Sequence, residues 1–105
     1  MIEFNIEDSA RQQFSNVINQ RRVTIRLQFN GIANRWFFDL AIDGEFVLHG
    51  RKIVLGVDLV RNFNFGIGAI FAFSESGVEA VRDNLHNGTV RLFSASQSEI
   101  DAAIR

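Results

Sequence analysis

His49 and His86 are the only histidines in a chain that contains no cysteine, so a metal site would have to combine both with a carboxylate. Their spacing fits no usual ligand motif, and the simpler reading places both in exposed turns. A serine nucleophile would need a histidine base and a supporting acid. Ser74, Ser76, Ser94, Ser96 and Ser98 instead lie in polar, turn-like or terminal stretches, and none occupies a Gly-x-Ser-x-Gly elbow. Asp39 and Asp43 fall on one face of an alternating segment, and paired carboxylates can perform acid–base work. On the outward face of an antiparallel sheet the default is an ion pair, with Arg26 of the preceding strand as the natural partner of Asp39. Phe65-Gly66-Ile67-Gly68 holds a Gly-x-Gly with no third glycine, lysine or following helix signal, which argues against a phosphate loop. No catalytic residue, cofactor or metal site is assigned, and an enzyme is not expected.

Protein contacts are the chemistry that remains. Lys52 is the sole lysine among 11 basic residues, and arginine suits planar, bidentate interface contacts better than lysine does. Four of the 11 phenylalanines, Phe63, Phe65, Phe71 and Phe73, share one face of an alternating run late in the chain. Gly66 and Gly68 lie opposite, where missing side chains would let a neighbouring chain approach. The candidate interface is therefore Phe63, Phe65, Gly66, Gly68, Phe71 and Phe73, with the arginine-bearing face of Arg22 and Arg26 as a second choice. The alternative for the four rings is the domain's own core. Interleaved Arg and Phe also describe a β-barrel module that binds single-stranded nucleic acid or a small ligand, the rival functional reading.

The elements that must position these residues follow from length and pattern. A chain of 105 residues is the size of one domain, and it buries roughly two thirds of its unfolded surface without disulfides. Net charge is −1 with both signs dispersed, where a dedicated nucleic-acid binder would show a basic stripe. Apolar runs are too short to cross a membrane as a helix, and the acidic, alternating opening is unlike a signal peptide. An intracellular product is expected.

Period-two alternation dominates. Ile2, Phe4 and Ile6 begin a short strand, and residues 14–18 form a weaker one closed by a turn at Asn19-Gln20-Arg21. Val23, Ile25, Leu27 and Phe29 alternate with Thr24, Arg26, Gln28 and Asn30, the cleanest strand in the chain. After a loop from Asn30-Gly31 to Asn34, Trp36, Phe38, Leu40 and Ile42 share a face. Asp43-Gly44 signals a type I′ hairpin. Residues 46–48 return, Gly50 interrupts, and 53–57 resume as a strand. Asp58 caps one helical turn or opens a loop. Residues 63–73 alternate, 74–77 turn, and Val78, Val81 and Leu85 have helical spacing behind a Ser76/Glu79 capping box. Residues 89–94 make the last strand, and Ser98 with Asp101 caps a final turn. The expected fold is all-β and mostly antiparallel: a small sandwich or partly closed barrel of about seven strands. At most one or two short helical turns lie near the C-terminus. Residues 1–95 form the single domain and 96–105 a C-terminal tail or short helix.

The order of Val23-Thr24-Ile25-Arg26-Leu27-Gln28-Phe29-Asn30, Trp36-Phe37-Phe38-Asp39-Leu40 and Asp43-Gly44 resembles the small baseplate plug-like proteins of contractile-tailed bacteriophages. The likeness continues through Gly50, Ile53-Val54, Gly56-Val57-Asp58-Leu59, Asn84-Leu85 and Gly88-Thr89-Val90-Arg91-Leu92-Phe93, across most of residues 1–95. It implies a virion component made in the host cytoplasm, a hub or plug-like subunit of the baseplate. Its partners would be other tail and baseplate proteins and copies of itself in a ring, with no membrane, specific nucleic acid or cofactor involved.

Overall fold

Alternating apolar and polar side chains build the centre of the fold. The computed structural model describes residues 2–60, 66–96 and Glu99. Its strands are β1 (Ile2–Glu3), β2 (Arg11–Ile18), β3 (Arg21–Asn30), β4 (Arg35–Ile42), β5 (Glu45–Lys52), β6 (Ala69–Phe73) and β7 (Arg91–Ala95). They form two antiparallel sheets, a four-stranded β2-β3-β4-β5 meander and a three-stranded β1-β7-β6 sheet. The sheets share one buried cluster and do not close into a barrel, so the sandwich form of the expectation holds.

In the meander, Val23, Ile25 and Leu27 of β3 stand beside Ile42, Leu40 and Phe38 of β4, all buried. Asn19 and Gln20 both adopt positive φ (52° and 66°), as do Asp43 and Gly44 (53° and 88°). That geometry gives the tight two-residue turns whose twist suits a hairpin. Gly50 continues β5 instead of ending it. Its φ of +61° sits beside a register shift opposite Asp39, a bulge that the strand absorbs.

Three expected elements are corrected. Residues 53–57 are not a strand: Leu55 alone bridges Ala72, in parallel. Gly56 turns the path at φ +71°, and the Asp58 carboxylate accepts from the amides of Val60 and Ile70 at 3.1 and 3.2 Å. Residues 78–85 are not a helix. The Asn84 side chain accepts from the Val81 amide and donates to the Glu79 carbonyl, so it competes for the groups a helix would use. Glu79 pairs with Arg35 and not with Ser76. The first strand stops at Glu3, although the Phe4 amide still donates to Leu92 and Phe4 and Ile6 remain buried. Ser98 and Asp101 lie outside the described residues. A capping box is present two residues earlier, with the Glu99 amide donating to Ser96 Oγ and the Ser96 amide to the Glu99 carboxylate.

Candidate interface

On β6 the alternation turns Ile70 and Ala72 into the core and leaves Phe71 half-buried and Phe73 47% exposed on the outward face. Register then sets the neighbours. Phe71 lies opposite Phe93 of β7, and their rings stack at 5.6 Å between centroids. Phe73 lies opposite Arg91, whose guanidinium covers the Phe93 ring at 5.1 Å. Glu3 of β1 flanks Phe93 on the other side and grips Arg91 with both carboxylate oxygens, at 3.1 Å to Nε and 2.6 Å to the terminal nitrogen. The paired guanidinium holds the Glu3 carboxyl below its usual range, and Glu3 in turn raises Arg91. The result is a ridge of stacked rings, pinned at one end by a bidentate ion pair. An open cleft of about 320 Å³ adjoins it, lined by Phe73, Glu75, Ser76, Gly88, Thr89 and Arg91.

The two glycines near this ridge have different duties. Gly68 has a φ of +78°, and a Cβ there would come within 2.1 Å of the Ala95 carbonyl oxygen. The close approach anticipated at this glycine is thus taken by the chain's own β7. Gly66 is exposed with open space around it, and its carbonyl accepts from Asn19 Nδ2 at 2.6 Å. Phe63 and Phe65 lie outside the described residues.

Arg22 and Arg26 belong to the other sheet, on the outward face of β3. Arg26 Nε reaches Asp39 Oδ2 at 2.9 Å, the cross-strand pair anticipated from the alternation. Its guanidinium also lies 4.3 Å from the centre of the Phe46 ring. Partial burial is the largest single influence on Asp39 and pushes its carboxyl up. The Gly50 amide at 2.7 Å, the Arg26 hydrogen bonds and the charges of Arg26 and His49 together outweigh it and hold Asp39 below its usual range. Asp43 does not join Asp39; its Oδ1 accepts from the Arg22 amide at 3.1 Å. The aromatic ridge and the arginine face are therefore separate surfaces.

His49 is an exposed strand residue 4.0 Å from Asp39. His86 corrects the expectation of an exposed turn. It lies in a turn but is half-buried, with Nδ1 facing Asp8 at 3.7 Å and Arg82 on the same carboxylate at 3.0 Å. Among the described residues no group of three or more His, Cys, Asp or Glu is placed to hold a metal ion. Sequence reasoning missed Phe93, Arg91 and Glu3 as parts of the aromatic surface. The available signal was the Arg-x-Phe alternation of the last strand, which puts both on one face.

A family model described as cyanophage baseplate Pam3 plug gp18 matches residues 1–97. A comparison with curated proteins finds no match.

Proposed function

Because the chain belongs to this family of phage baseplate plug proteins, we propose that it is a structural subunit of a contractile tail, seated at the baseplate hub and free of catalytic activity. The match across residues 1–97 carries this reading, since it spans both sheets and not one motif. The subunit is made in the host cytoplasm and assembles with other tail and baseplate proteins and with copies of itself in a ring. The aromatic ridge supports a role in contact: Phe71, Phe73 and Phe93 stand on the outward face of the small sheet, where apolar rings rimmed by charge favour a protein partner. Arg26 does not favour nucleic acid, because Asp39 already neutralises it.

The test is virion incorporation. Epitope-tagged protein should co-purify with intact tails through density-gradient sedimentation and be located at the baseplate end by immunogold labelling. Phe71→Ser with Phe73→Ser should reduce incorporation while the purified protein keeps β-type circular dichroism. A tagged protein that is expressed but absent from purified tails overturns the assignment. Normal incorporation of the folded double variant removes the ridge from it.

A further inference from the structure

We propose that β2 is a strand-pairing edge through which two copies of this chain join antiparallel about a two-fold axis at Phe14. Among the described residues the two sheets end in four edges, and three of them are blunted. β1 is two residues long. β6 is covered by the segment after β5, whose Gly56 and Leu59 amides donate to Ala72 and Ile70 at 3.0 and 2.7 Å. β5 carries two register shifts, a glycine at positive φ, and Glu45, His49, Arg51 and Lys52. Bulges and charges of this kind are how proteins prevent edge pairing. β2 has none of these devices. It pairs with β3 over its full length without a shift and carries no charge from Gln12 to Ile18.

The direction of its backbone groups follows from the ladder. Ala10 accepts from the Phe29 amide at 2.9 Å, so even-numbered residues bond inward to β3. Arg11, Gln13, Ser15 and Val17 therefore turn their amides and carbonyls to the edge, where the Arg11 carbonyl accepts from Ser9 Oγ at 2.7 Å and keeps its second lone pair for a partner. With the axis at Phe14, Arg11 of one copy faces Val17 of the other, and Gln13 faces Ser15. Every outward backbone group is then paired, and outer faces meet outer faces. The same register accounts for two apolar side chains that one copy leaves exposed or only partly covered. Val17, 70% exposed, comes under the aliphatic stem of the opposing Arg11. Phe14, half-buried against Phe4 at 5.3 Å, meets its own copy across the axis and extends both cores. The strand is ordered beforehand, because the Gln12 side chain accepts from the Glu7 amide at Oε1 and donates from Nε2 to the Glu7 and Ser9 carbonyls. The contact is self-complementary, as a two-fold interface must be.

Light scattering coupled to size exclusion, on the full chain over a range of concentrations, tests this. The parent should show a reversible monomer–dimer equilibrium. Val17→Lys places like charges opposite Arg11 twice per dimer and should weaken the dimer by about tenfold. Adding Arg11→Glu to Val17→Lys should restore it. Within one chain these two residues lie at opposite ends of β2, so the rescue reports on the contact between copies. Gln13→Pro removes an amide that points to the free edge and should give a folded monomer, as judged by Trp36 fluorescence. A parent that stays monomeric, forms open-ended aggregates, or dimerises with no response to Val17→Lys and Gln13→Pro overturns the proposal. So does a dimer that responds only to Phe73→Ser.

Discussion

Trp36→Ala removes the side chain on which both the core and the long loop after β6 depend. The residue has 0% exposure, meets the Phe29 ring edge-on at 5.5 Å, and donates from Nε1 to the Val81 carbonyl at 2.9 Å. Two effects add. Deleting a buried aromatic side chain costs about 3–5 kcal/mol through lost burial and the cavity left behind. The Val81 carbonyl loses its partner in a part-buried setting, which costs about 1–3 kcal/mol more. The sum, about 4–8 kcal/mol, is comparable with the whole stability of a small domain. Trp36→Ala should therefore be largely unfolded at 37 °C. Trp36→Phe separates the two effects: it keeps most of the ring and loses the N–H, so it should cost about 1–3 kcal/mol. Its structural effect should concentrate at residues 79–90. The assay is urea denaturation followed by far-ultraviolet circular dichroism, because the only tryptophan is the residue being changed. Amide hydrogen exchange locates the loosening. Trp36→Ala within about 1 kcal/mol of the parent would refute the cavity reasoning. Trp36→Phe with unchanged exchange at residues 79–90 would refute the role given to the indole hydrogen bond.

Gly68→Ala must displace the Ala95 backbone and should destabilise by about 3 kcal/mol or more, while Gly66→Ala, at a similar positive φ but with open space, should cost about 1–2 kcal/mol; thermal melts of the pair rank them. Gly44→Val, at φ +88°, should lower the melting temperature clearly, and a neutral result would exclude the tight-turn role of Asp43-Gly44. Because the folded pKa of Asp39 is depressed, its stabilisation is present above the unfolded value of about 3.9 and is lost as pH falls through the folded value. Asp39→Asn should flatten the acid side of the stability profile below about pH 4 in urea titrations, and an unchanged profile would remove Asp39 from it. Fluorescence anisotropy should show no single-stranded DNA binding that weakens steeply with salt.

The meander was legible in the sequence because every signal it uses is local. Residues 23–30 alternate strictly, and over 35–42 Trp36, Phe38, Leu40 and Ile42 fill one face while Arg35 and Asp39 mark the other, so one face is the more apolar and turns inward. Asp43-Gly44 marks the turn, and that turn brings β3 and β4 into a register where Arg26 meets Asp39. The small sheet was not legible in the same way. From Ala69 to Phe73 every residue is apolar, so alternation shows that there is a strand without showing which face belongs to the core. Tertiary contacts made that choice. Asp58 holds the Ile70 amide, and the Ala95 carbonyl occupies the place where Gly68 lacks a side chain. Together they point Ile70 and Ala72 inward and Phe71 and Phe73 outward. The loop after β6 was decided in the same manner. Val78, Val81 and Leu85 repeat at a helical interval, but Asn84, Trp36 and Arg35 take the groups that a helix would have needed. Glu3 and Arg91 lie at opposite ends of the chain, and only the pairing of β1 with β7 brings them together. Local sequence specifies period and turn geometry, whereas the choice between two apolar faces depends on partners distant in the chain.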